Sequence, residues 1–73
     1  LSCNFSIQRI PRTGIGTDMM KEMLSLLKTH GYKSVSLSVQ KANYAAEMYQ
    51  KIGFDIIREN KEEWIMLWQE NRH

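Results

Sequence analysis

The segment Gly14-Ile15-Gly16-Thr17 places two glycines one residue apart directly ahead of a helical pattern. A loop without Cβ atoms lets the backbone approach a phosphate. The first amides of the helix beyond it lack carbonyl partners and lie at the positive end of the helix dipole. Arg9 and Arg12 precede the first acid, Asp18, so the stretch is locally positive and suits an anionic ligand. A dinucleotide fingerprint would require a third glycine where Met19 stands, and a P-loop would require Gly-Lys-Ser/Thr, which does not occur. The competing interpretation of the two glycines is a plain structural turn.

A second group of residues runs from Ala42 to Phe54. Asn43 is a good helix N-cap, Ala45 and Ala46 permit close approach of a neighbour, and Gly53-Phe54 is a helix stop followed by an aromatic suited to burial. The other polar residues offer less. Asp55, Glu59, Glu62 and Glu63 fall on or near a terminal hairpin as solvated surface, and His30 complements a helix end.

The elements that must hold these residues follow from apolar spacing. Met19, Met20, Met23, Leu24 and Leu27 share one face of a helix from Thr17 to His30, capped by Thr17 or Asp18 and closed by Gly31. Val35, Leu37 and Val39 alternate with Ser34, Ser36 and Ser38, a strand whose small serines predict a second covered face, packed by a helix. Ala45, Met48, Tyr49 and Ile52 share a face of a second helix from about Ala42 to Ile52. Phe54, Ile56 and Ile57 begin a short strand, Asn60 to Glu63 turn, and Trp64 to Trp68 form its hairpin partner. The five methionines are expected as core filler, and Trp64 and Trp68 as core or interface.

The fold class is therefore α/β in the order loop-α-β-α-β-β, with a short mixed sheet ending in an antiparallel hairpin. At 73 residues it is a single domain with a small core. Ten Lys and Arg against eight Asp and Glu, interspersed, give no nucleic-acid footprint. No apolar run reaches the roughly 18 residues of a membrane span, and no signal peptide is evident. The lone Cys3 cannot form an internal disulfide, which suits a cytoplasmic protein.

Together the two motifs resemble the GNAT superfamily of acetyl-CoA-dependent N-acetyltransferases, over about Thr13 to Trp68. In that family a Gln/Arg-x-x-Gly-x-Gly/Ala loop binds the pyrophosphate of coenzyme A through backbone amides. A later helix carries an Asn and ends in Tyr-x-x-x-Gly-Phe, which Tyr49, Gly53 and Phe54 match. The resemblance implies cofactor contacts from Arg12, Thr13, Gly14, Ile15, Gly16, Thr17 and Asn43, with Tyr49 as the acid that protonates the departing thiolate. It also implies acetyl-CoA as cofactor, an amine as acceptor, and a partial GNAT fold whose N-terminal half is absent.

Two positions depart from the pattern. Pro11 stands where the family has Arg or Gln, with Arg12 one place late, and the Asn43-to-Tyr49 interval is one residue shorter than another common version. Residues 1–12 alternate poorly and are expected to be disordered or out of the family's reading frame; 13–68 form the acetyltransferase-like part, and 69–73 a tail. The alternative is a non-catalytic remnant, a module that forms a homodimer through its exposed sheet edge and retains at most coenzyme A binding.

Overall fold

The computed structural model describes residues 4–8, 10 and 15–70. Four strands and two helices follow in the order β1 (Asn4–Ile7), α1 (Thr17–Thr29), β2 (Ser34–Gln40), α2 (Ala45–Ile52), β3 (Asp55–Glu59) and β4 (Glu63–Gln69). They build one mixed sheet, β1-β2-β4-β3, in which β1 runs parallel to β2 and the other pairings are antiparallel. The predicted order is thus preceded by a further strand. No described helix is long and apolar enough to cross a membrane.

Strand β1 is the element that the irregular N-terminal pattern does not predict. Four residues suffice for it: Phe5 and Ile7 are half-buried against the core, while the exposed Asn4 reaches across to β2. Ser34 Oγ donates to Asn4 Oδ1 at 2.9 Å, and Asn4 Nδ2 donates to Ser36 Oγ at 3.4 Å. The edge of Phe5 meets the ring of Tyr32, centroids 5.4 Å apart.

One core lies between the sheet and both helices. Val35, Leu37 and Val39 face it opposite Trp68, Met66 and Trp64 of β4, and Met20, Leu24, Ala45, Ala46, Tyr49 and Phe54 complete it. The helix predicted over the serine face is not found among the described residues. Ser34 and Ser36 are half-buried beside Asn4 instead, so neighbouring strands supply the cover. Met19, predicted on the core face, is 65% exposed, because one residue before Met20 lies about 100° round the helix.

The helix ends obey one rule. Helix α1 closes with Gly31 N donating to Lys28 O and Tyr32 N to Leu27 O; α2 closes with Gly53 N donating to Gln50 O and Phe54 N to Tyr49 O. Both are Schellman motifs, and their glycines occupy the left-handed region, at φ 94 and 129°. The helix starts differ from expectation. Gly16, not Thr17 or Asp18, is the N-cap of α1, with no side-chain cap, because Thr17 is already helical. Helix α2 begins at Ala45 rather than Ala42, since Asn43 N donates to Gln40 O in a turn and Asn43 Oδ1 accepts from Ala45 N.

The β3–β4 hairpin turns as predicted. Asn60 Oδ1 accepts from Glu62 N and Glu63 N at 3.0 and 2.8 Å. Strand β3 is exposed along its whole length and carries a bulge between Ile56 and Arg58. Lys41 lies 4.6 Å from the Trp64 ring centroid and pairs with Glu59 at 2.6 Å, tying the end of β2 to the hairpin.

Candidate functional site

The site is assembled where the segment before α1 meets α2. In α2, the spacing Tyr49-x-x-x-Gly53-Phe54 has a local cause: Tyr49 lies three residues before the last helical residue, Ile52, Gly53 is the left-handed residue beyond it, and Phe54 the residue that folds back. The two rings it brings together are 6.0 Å apart and both buried. The motif thus fixes the tyrosine ring against its own helix terminator. Leu27, Gly31 and Tyr32 repeat this geometry at the end of α1 without a phenol at the first position, so the spacing alone marks a helix stop.

The Tyr49 ring is fully buried, yet its oxygen reaches the loop. Ile15 N donates to the Tyr49 hydroxyl at 2.9 Å, a contact between residues 34 apart in sequence. The amide uses an oxygen lone pair, so the phenolic hydrogen is not consumed by it. Burial pushes the Tyr49 phenol above its ordinary 10.0, and the Ile15 amide opposes part of that rise by favouring the phenolate. At neutral pH the group is therefore a neutral, partly desolvated proton donor.

Next to Ile15, Gly16 is exposed with φ −58°, a value open to any residue. Conformation does not require a glycine there. A Cβ built on it meets nothing within 4 Å, so the absent side chain leaves open space beside the start of α1. The first helical bond is Met20 N to Gly16 O, which leaves the amides of Gly16, Thr17, Asp18 and Met19 without carbonyls inside the helix. Strand β1 pairs with β2 only from Ser34 to Leu37, and Ser38 to Gln40 extend beyond that pairing.

Of the residues singled out from sequence, Ile15, Gly16, Thr17 and Tyr49 come together. Arg12, Thr13 and Gly14 lie outside the described residues. Asn43 Oδ1 accepts from Ala45 N, and the residue lines a groove with Lys41, Tyr44, Ile56 and Trp64; Ile15, Gly16, Thr17 and Tyr49 are not among the described residues that line it. Glu59 is engaged by Lys41, and Asp55, Glu62 and Glu63 are on the hairpin. The Ile15–Tyr49 bond itself has no signature in the sequence, since any residue but proline supplies the amide.

The acetyltransferase (GNAT) domain family matches the chain over residues 3–70. No curated protein matches it. A crystal structure of the PaiA N-acetyltransferase from Thermoplasma acidophilum, in complex with coenzyme A, is similar in fold, with a TM-score of 0.74 at 20% identity. The similarity covers 94% of this chain and 48% of that one, so the chain spans about half the length of that protein.

Proposed function

The chain belongs to the GNAT acetyltransferase family, and from that premise we propose that it binds acetyl-CoA at the start of α1 and serves transfer of the acetyl group to an amine. The observation that carries this reading is the junction of the buried Tyr49 hydroxyl with the segment entering α1. Bound acetyl-CoA supplies an acetyl group activated as a thioester. The residues present fit such a ligand: open space at Gly16, amides at Gly16, Thr17 and Asp18 that have no partner among the described residues and can take phosphate oxygens, and a parallel pair that ends before β2 does. Arg12, Thr13 and Gly14 belong to the same loop in this reading. Tyr49 donates its phenolic proton to the sulfur that departs, and the Ile15 amide then stabilises the phenolate left behind. Asn43 is placed with the cofactor by its family motif alone.

A second reading, a non-catalytic module that pairs with another copy, draws on one observation: β1 lies at an edge of the described sheet. A cytoplasmic setting, suggested by the single cysteine, is common to both readings.

Calorimetric titration of the 73-residue chain with coenzyme A, repeated with Gly16→Arg, tests the first reading. We expect saturable binding that the substitution abolishes, with thermal unfolding unchanged because a Cβ at Gly16 touches nothing. A folded wild-type chain that binds no coenzyme A and grows in size with concentration would establish the second reading instead.

A further inference from the structure

We infer that Tyr49 is, besides its proposed role as proton donor, the positioning residue of the glycine loop: its oxygen holds the Ile15 amide inward and thereby presets the amides that follow for phosphate. The inference rests on the coenzyme reading above. Its ground is the way the loop is anchored. Among the described residues, the bond to Tyr49 is the one side-chain hydrogen bond made to residues 15–17. Gly16 caps α1 without any side-chain bond, and its missing Cβ would touch nothing, so neither capping nor packing of a side chain fixes this residue.

Tyr49, by contrast, is immobilised. It is fully buried, packed on Phe54, and set in a Schellman motif whose glycine has φ 129°. Ile15 also packs its side chain against the core, and the hydrogen bond from its amide to the rigid tyrosine fixes the direction of the backbone that continues into Gly16. Ordering a flexible loop at the moment of binding lowers affinity, and ordering it beforehand removes that penalty. The Ile15 amide is thus committed to the protein, and Gly16, Thr17 and Asp18 provide the amides that face the ligand.

The test separates this role from proton donation by using desulfo-coenzyme A, which keeps the phosphates and lacks the thiol. In Tyr49→Phe, hydrogen exchange at the Ile15 amide should accelerate at least tenfold while exchange at Leu24, inside α1, stays unchanged. Affinity for desulfo-coenzyme A should fall roughly five- to tenfold, the equivalent of one net hydrogen bond. Ring-fluorinated tyrosine at position 49 keeps the hydroxyl, strengthens it as a proton donor and weakens its neutral oxygen as an acceptor, so at a pH where the phenol stays protonated it should move both readouts the same way by less. Unchanged Ile15 exchange, or faster exchange with undiminished affinity, would overturn the positioning role alone. Failure of the wild-type chain to bind either compound would overturn the coenzyme reading and this role together.

Discussion

Burial of the Tyr49 phenol makes its protonation state part of folding stability. Its ordinary value of 10.0 is raised in the folded chain, first by desolvation and with the Ile15 amide pulling the other way. The folded state therefore holds this proton more tightly than the unfolded state. The resulting stability is complete below about pH 10 and is lost as pH rises through the folded value. Urea midpoints measured against pH should fall more steeply above pH 10 in the wild type than in Tyr49→Phe, since Tyr32 and Tyr44 are common to both. Equal slopes would mean that the phenol is not desolvated. The same shift keeps the proton in place at neutral pH, which a donor to a thiolate needs.

Among the elements, the two helix terminators offer a controlled comparison. Gly31 and Gly53 both have φ in the left-handed region, so alanine at either should cost about 1 kcal/mol or more. Only Gly53→Ala disturbs the turn that seats Tyr49, so only it should also weaken coenzyme A binding in a titration. Asn43→Ala should cost about 1 kcal/mol through the lost bond to Ala45 N and weaken coenzyme A binding in the same titration; unchanged affinity would assign Asn43 to the turn before α2 alone. These elements were legible to different degrees. Helix α1, β2 and the hairpin carry long apolar periods, bounded by Gly31, Gly53 and the Asn60 turn. Strand β1 has two apolar residues in four, and its pairing depends on β2, thirty residues away, so local pattern could not reveal it. The late start of α2 was hidden because Asn43 satisfies a turn and a helix amide together. Of the site, the glycines and the tyrosine were readable as types at a spacing; their meeting through a backbone amide was not.

For the molecule as a whole, the core is small and its residues come from β1, β2, β4 and both helices, with none from β3. Leu37, 2% exposed on the central strand, is a sensitive position: Leu37→Ala should cost about 2–5 kcal/mol. Net stability in domains is only about 5–15 kcal/mol, and one of this size belongs at the lower end. Urea unfolding of the variant should show a midpoint shifted to much lower denaturant than in the wild type. The separation of contacts along the chain carries a kinetic consequence. The β3–β4 turn closes between Asn60 and Glu63, whereas the Ile15–Tyr49 contact joins residues 34 apart. Hairpins form within about 1–10 μs, while distant closures must bear their entropy before any contact rewards them. During refolding, competence to bind coenzyme should therefore rise with the single rate constant of core formation and never ahead of it, making the ligand a reporter of the finished fold.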